Sequence, residues 1–285
     1  MFGCPALRFS AGNDAGAVNI KFPHGLSAKI NPMKKLLAAL LISLPALAQR
    51  PAPDQIETKK GPLSIQPVQH GSLVLTWNKK TIYVDPAGGA ALFAGLAAPD
   101  IILITDIHGD HMDPKTLAGL RVGRAVLVVP KAVADQLPPE FDERIVELKN
   151  GRQLDTLGIR IAAVPMYNLP EAPDAMHTKG RGNGYVLSLG GKTVYISGDT
   201  EDIAEMRALK KIDVAFVCMN LPYTMDVAQA AQGVLAFRPG IVYPYHYRGQ
   251  GGLSDVAAFQ KTVTEADKKI DVRLRDWYPA AAAAK

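Results

Sequence analysis

The sequence predicts an α/β protein with two sheets sandwiched between helices, and three observations carry that expectation. Many of its hydrophobic runs are short and continuously apolar, as strands buried on both faces are. These runs come first as a meander and then alternate with helical patterns. No break in composition divides residues 63–285, so one domain is expected there. The 285-residue chain is 48% hydrophobic and 21% charged, ordinary values for a globular protein. A domain of roughly 200–250 residues buries a full core without disulfides.

The chain opens on a stretch that has to be set apart. Met33-Lys34-Lys35 precedes an almost wholly apolar run, Leu36 to Ala48, that ends Ala46-Leu47-Ala48. A positive start, a short apolar run and small residues at a cleavage point read as a secretory signal peptide, residues 33–48. The run is short of the ~20 residues that span a bilayer, and Pro45 suits a cleavage region better than a helix interior. No stable membrane insertion is expected after cleavage, and the mature protein is expected to be periplasmic or secreted. Residues 1–32 lack periodicity and are expected to be a spurious or disordered extension. Residues 49–62, polar and Pro-rich, are expected to be a flexible entry segment.

The strands expected next are Leu63–Val68, Ser72–Trp77, Thr81–Val84, Asp100–Thr105 and Ala125–Val129, then Ile159–Val164, Gly184–Leu189, Thr193–Ser197, Val214–Met219 and Ile241–Tyr245. Helices fall between them. Asp113-Pro114 offers a capping carboxylate and a proline at the first helical position. Asp202 with Glu205, and Asp226 with Gln229, have the spacing of a capping box. After Asp226, residues Val227, Ala230, Ala231, Val234 and Leu235 form an apolar stripe at helical period. Ser254 is expected to cap a last helix through about Ala266.

Charge excludes one function class. Removing residues 1–48 takes away five basic residues and one acidic residue, lowering the net charge from +5 to +1. A near-neutral mature chain gives no electrostatic case for nucleic-acid binding. Cys218 alone remains, inside an apolar strand, where a cysteine behaves as a small hydrophobe. Trp77 is expected in the core.

The chemistry concentrates in Asp106-Ile107-His108-Gly109-Asp110-His111, directly after a buried strand. In an extended chain Asp106, His108 and Asp110 share one face, and Gly109 permits a turn that brings in His111. Carboxylate and neutral imidazole both suit Zn²⁺, Mn²⁺ or Fe. Further candidates follow other strands: Asp199 in Ser197-Gly198-Asp199-Thr200, His246 after Tyr243-Pro244-Tyr245, and Asn168 after Met166-Tyr167. Ligands delivered from strand ends onto one sheet edge make one pocket. His70, before Gly71, either faces that pocket or packs as an ordinary histidine.

The order D-x-H-x-D-H, then G-D-T, then a late strand-end histidine resembles the metallo-β-lactamase superfamily over about residues 63–275. The segments I-Y-V-D-P, G-N-G-Y-V, I-S-G-D-T and L-P-Y-T-M look most like the branch containing the L-ascorbate phosphate lactonase. The resemblance implies a four-layer αββα sandwich with one or two divalent metal ions, Zn²⁺ first and Mn²⁺ or Fe as alternatives. It implies first-metal ligands at Asp106 and His108, second-metal ligands at Asp110, His111 and His246, a bridging Asp199, and Asp85 as an acid that orients a ligand imidazole. This sequence departs from the pattern in having Asp106 where the family usually has histidine. It also lacks the usual histidine after Met166-Tyr167; Asn168 through oxygen, or His177 nine residues on, is left to complete the first site. The departures make that site harder and oxygen-rich, so unequal metal sites are expected.

The activity expected is hydrolysis of an ester, lactone, phosphodiester or amide by water whose pKa a metal lowers from ~16 toward ~7, with Asp110 orienting or deprotonating it. The substrate expected is a small molecule, anionic if Arg248 holds it; Tyr223 lies in a loop expected near the same pocket. The rival is a non-hydrolytic binding protein of the same fold. Export is checked by N-terminal sequencing of the protein recovered from cells: a chain starting at or near Gln49 outside the cytoplasm is expected, and retention of residues 1–48 on soluble cytoplasmic protein contradicts it.

Overall fold

Alternation along single strands builds the layers. The computed structural model describes residues 50–120 and 122–279; the expected leader, the stretch before it and the Ala-rich tail lie outside the described residues. The first sheet runs β1 (Asp54–Ile56), β2 (Leu63–Gln69), β3 (Ser72–Trp77), β4 (Lys80–Val84), β5 (Ile101–Leu103), β6 (Val126–Val129) and β7 (Ile145–Glu147), in that spatial order. In β3, Leu73, Leu75 and Trp77 enter the large core, while Val74 enters a second cluster on the opposite face. Ile82 and Val84 against Tyr83, and Ile101 and Leu103 against Ile102, repeat this in β4 and β5, as a two-residue side-chain period requires. The second cluster is closed by α1 (Pro114–Gly119) and α2 (Lys131–Ala134) through Leu117 and Val133.

The second sheet is built from β8 (Gln153–Thr156), β9 (Ile159–Met166), β10 (Gly182–Leu189), β11 (Lys192–Ile196), β12 (Val214–Cys218) and β13 (Ile241–Tyr245). A two-residue hairpin, β14 (Arg248–Gly249) with β15 (Gly252–Leu253), follows, and β16 (Asp271–Val272) pairs beside β13. Every residue of β12 is buried, Cys218 included. Its outer layer is α3 (Ala204–Arg207), α4 (Val227–Phe237) and α5 (Val256–Ala266), which bury Met206, Ala230, Val234, Phe259 and Val263. The expected αββα sandwich is thus the observed architecture. β4, β5 and β6 run parallel, as do β11, β12 and β13, so the carboxyl ends of each set open on one edge.

Several local expectations need correction. Within the segment expected to be a flexible entry, Asp54–Ile56 pairs with β2, Ile56 is buried, and Asp54 takes Arg275 at 2.8 Å and the Tyr243 hydroxyl at 2.7 Å. Tertiary anchoring there overrides a polar local composition. Asp113 and Asp226 cap α1 and α4 as expected. Asp255, not Ser254, caps α5; Ser254 Oγ donates to the Met219 carbonyl instead. Asp202 does not cap α3: it pairs with Arg207 and accepts from Gln229, while Glu205 accepts from the Tyr167 hydroxyl at 2.8 Å. In a four-residue helix these tertiary partners outcompete a local cap.

One side chain links the sheets beneath the open edge. Tyr185, fully buried in β10, donates its hydroxyl toward the Ile104 carbonyl at 2.8 Å and the Val128 carbonyl at 3.0 Å. Tyr185→Phe leaves the Ile104 carbonyl short of its donor and is expected to cost about 1–2 kcal/mol. Chemical denaturation should show a lowered midpoint with an unchanged m-value; no loss of stability contradicts the role.

Candidate metal centre

The loop after β5 turns at once. His111 and Met112 both donate their backbone N–H to the His108 carbonyl, at 2.9 and 2.8 Å. The expectation that Asp106, His108 and Asp110 share a face therefore fails, because the turn rotates Asp110 away from the other two. Asp106 and His108 group with His177, Asp110 groups with His246 and His70, and His111 groups with Asp199 and His246. All lie at the edge where β5, β9, β11 and β13 end.

Asp199 is the hub. Its Oδ2 lies 3.3 Å from His177 Nε2 and 3.4 Å from His111 Nε2, and its Oδ1 lies 3.5 Å from His246 Nε2. Burial disfavours its charge, but the His246 and His111 imidazoles outweigh that and hold its carboxyl well below the usual carboxylate range. Asp110 Oδ2 is 3.3 Å from His246 Nε2, and its side chain is 43% exposed, so it faces the mouth of the centre.

The imidazoles are aimed from behind. Asp85, fully buried, accepts from Thr105 N and Oγ1 at 2.7 Å each and sits 2.8 Å from His111 Nδ1. That contact assigns the Nδ1–H tautomer to His111 and turns the Nε2 lone pair inward. Burial nonetheless raises the Asp85 carboxyl above its ordinary range, against the pull of His111 and Thr105. Asn168 does the same for His177: its Oδ1 accepts from the His177 backbone N–H at 2.7 Å and faces Nδ1 at 3.1 Å. Its amide donates to Glu201 and to the Tyr223 carbonyl. Of the two residues that the sequence left open, Asn168 spends its oxygen on His177, and His177 keeps Nε2 turned toward Asp199. Tyr223 reaches this network through its backbone.

Two contributors take places that the sequence left open, for His70, or gave no sign of, for Arg181. His70 lies against His246 with ring centroids 3.8 Å apart and planes tilted by 37°, and its Nε2 lies 3.1 Å from Asp110 Oδ2. Its Nδ1 accepts from the Tyr278 hydroxyl at 2.6 Å, which in turn accepts from Arg248 N–H at 3.0 Å. Arg248 itself is exposed, with its guanidinium 4.3 Å above the Tyr278 ring. Arg181 is the second: it grips Asp106 through Nε at 3.1 Å and Nη2 at 2.9 Å. A strand-end histidine and an arginine in a Gly-rich stretch carry no local signal of partners 40 and 75 residues away. His70, Asp85 and His246 all have positive φ, at 54°, 44° and 48°, a conformation that costs a non-glycine residue energy and concentrates at functional sites. Gly71 is required beside them, because a Cβ there would meet His246 Cδ2 at 2.9 Å.

The donor set fits a divalent ion. His177 Nε2 and Asp199 Oδ1 are buried without hydrogen-bond partners, an expensive condition unless something else satisfies them. His111 Nε2 and His246 Nε2 face each other at 3.1 Å, where a cation relieves the opposition of two nitrogen lone pairs. His111, His246, Asp110 and Asp199 would hold one ion, and His108, His177 and Asp199, with Asp106 beside them, a second. Asp85→Asn keeps the shape but weakens the orienting charge, so metal affinity should fall about 10–100-fold with the fold intact. His111→Ala should fall further. Calorimetric titration of chelator-stripped protein checks both, and unchanged affinity in either variant contradicts the ligand assignment.

Comparison with known proteins agrees with this geometry. A family model described as the beta-lactamase superfamily domain matches residues 64–246. A metal-dependent hydrolase of Pyrococcus abyssi is 29% identical over 177 residues, 60% of this chain and 77% of that protein. One of Symbiobacterium thermophilum is 27% identical over 235 residues, covering 75% and 97%. The crystal structure of a candidate metal-dependent hydrolase from Parabacteroides distasonis superposes with a TM-score of 0.71 at 39% identity, covering 79% of this chain and 99% of that one. The family match spans every position of the Asp199-centred cluster, from His70 to His246, and the chain belongs to the metallo-β-lactamase superfamily.

Proposed function

We propose that this chain is an exported metal-dependent hydrolase that acts on an ester, lactone, phosphodiester or amide bond of a small anionic molecule. The observation that carries the reading is the convergence of three imidazole Nε2 atoms on the buried Asp199 carboxylate, with His177 Nε2 and Asp199 Oδ1 unpartnered. A bound Zn²⁺, Mn²⁺ or Fe ion supplies Lewis acidity there, which polarises the scissile group and makes water nucleophilic near neutral pH.

The residues of this chain supply the rest. Asp110, the exposed carboxylate of the cluster, accepts a hydrogen bond from the attacking water and orients it. His70 donates to Asp110 and fixes that carboxylate, with Tyr278 fixing His70. Arg248 makes no ion pair among the described residues; its exposed guanidinium rests over Tyr278, the residue that holds His70, and is the group offered to an anionic substrate. Export rests on the Met33–Ala48 pattern; among the described residues no helix is long and apolar enough to cross a membrane.

The test is a panel of p-nitrophenyl esters, a simple lactone, bis-p-nitrophenyl phosphate and an anilide, run on the purified protein. Hydrolysis of at least one class is expected, lost on chelation and restored by Zn²⁺ or Mn²⁺. His246→Ala should lower kcat/KM by at least about 100-fold, corresponding to about 2.7 kcal/mol of transition-state stabilisation. Tight metal binding with no turnover in any class would instead favour a non-hydrolytic binding protein of the same fold.

A further inference from the structure

We propose that Arg181 is a built-in cation of the first metal site: it holds Asp106 out of ligation, so that the centre takes one divalent ion tightly at His111, His246, Asp110 and Asp199 and a second only weakly. This rests on the metal-centre reading and specifies which part of that centre works.

Asp106 is fully buried, and its carboxylate is already engaged on both oxygens. Arg181 Nε donates to Oδ1 at 3.1 Å and Nη2 donates to Oδ2 at 2.9 Å, the planar two-point grip that suits guanidinium and carboxylate. His108 Nδ1 lies 2.8 Å from Oδ2 as well. Three of a carboxylate's roughly four acceptor positions are thereby taken. His177 Nε2, by contrast, stands 3.9 Å from Asp106 Oδ2 and 3.3 Å from Asp199 Oδ2, so it sits closer to the hub than to Asp106.

The backbone holds this pair in place. Arg181 Nη2 also donates to the Met176 carbonyl at 2.6 Å, and Arg181 N–H closes a turn on Thr178 at 3.2 Å. One residue on, Gly182 opens β10 with no room for a side chain: a Cβ there would meet the Thr105 carbonyl at 2.8 Å. Asn183 N–H then donates to that same carbonyl at 2.9 Å. This close approach of β10 to the end of β5 sets Arg181 beside Asp106.

Charge decides between the two sites. The Arg181 charge offsets that of Asp106, which leaves the first site only its share of Asp199. The second site keeps Asp110 as well as Asp199. A unit charge a few ångströms away in a partly buried setting easily changes an affinity by more than tenfold. The sequence pointed to unequal sites through the hardness of an oxygen ligand; the structure places the cause in Arg181.

The experiment is calorimetric titration of chelator-stripped protein with Zn²⁺ and with Mn²⁺, with the metal content counted after dialysis. Wild type should show one tight event and a second weaker by about 100-fold or more. Arg181→Met removes the cation and leaves Asp106 available, so the weaker event should tighten by about tenfold or more. Arg181→Lys, which keeps the charge but loses the two-point grip, should tighten the weaker event by less than Arg181→Met does. Asp106→Asn with Arg181→Met should lose the gain, because the carboxylate is gone. An arginine that served only to hold the 176–181 loop would give weaker binding in every variant. If Arg181→Met does not fold by circular dichroism, Asp106→Asn alone decides: it exposes the site to an unpaired guanidinium and should abolish the weaker event. Two equally tight events in wild type, or Arg181→Met or Asp106→Asn leaving the second event unchanged, overturn the proposal while the metal centre stands. No metal binding at all overturns both.

Discussion

A carboxylate buried among imidazoles, Asp199 with His111, His177 and His246 at 3.3–3.5 Å, is the constraint on which the rest of this molecule depends. Removing a charge from water costs several kcal/mol unless its surroundings compensate. Here the compensation comes from chain segments about 90 residues before Asp199 and about 50 after it, so it exists only when both sheets are assembled. The parallel packing of β4 with β5, and of β11 through β13, brings those segments to one edge. The apolar alternation that builds the two cores therefore also determines which polar residues meet.

Behind the hub the same logic repeats at lower cost. Asp85 orients His111, and Asn168 orients His177, each by meeting Nδ1 and turning Nε2 toward Asp199. A ligand that must choose its own tautomer and rotamer loses entropy on binding; one fixed by a buried partner has already done so. The positive φ at His70, Asp85 and His246 belongs to this fixing. Each residue sits where the chain must reverse just past a strand end while its side chain still points inward. Such conformations cost about 1–3 kcal/mol each, which the large shared core can sustain.

The sequence made the layers legible because buried strands cannot hide. Val214–Cys218 and Ile101–Leu103 are apolar at every position, and a run buried on both faces has no other reading of that length. Edge strands such as Gln153–Thr156 are polar at alternate or more positions and carry no such mark. Asp110, His111, Asp199 and His246 drew notice because they fall in the short segments that follow apolar strands, with two histidines and two aspartates crowded after β5. His177 was legible only as one of two alternatives: it lies in a loop 11 residues beyond β9, and the residue that faces it, Asn168, looks in sequence like a rival ligand. His70 and Arg181 were illegible in their roles for the same reason, since the carboxylates they engage lie 40 and 75 residues away in sequence.

Strand-end residues and loop residues are thus aimed by different means. A strand-end residue is aimed by the sheet, so its role survives changes in the loops around it. Asp106 also lies just past a strand, yet both its oxygens are held by Arg181, delivered from a turn beside the close contact of Gly182 with the Thr105 carbonyl. Replacing a neutral imidazole with a carboxylate at that position adds a negative charge to a fully buried point. An added buried charge must find a partner. Within the chain, the Arg181 guanidinium and the His108 imidazole are the partners at this edge, and only the guanidinium reaches both oxygens. Arg181 is therefore the partner within the chain on which the buried Asp106 charge chiefly relies.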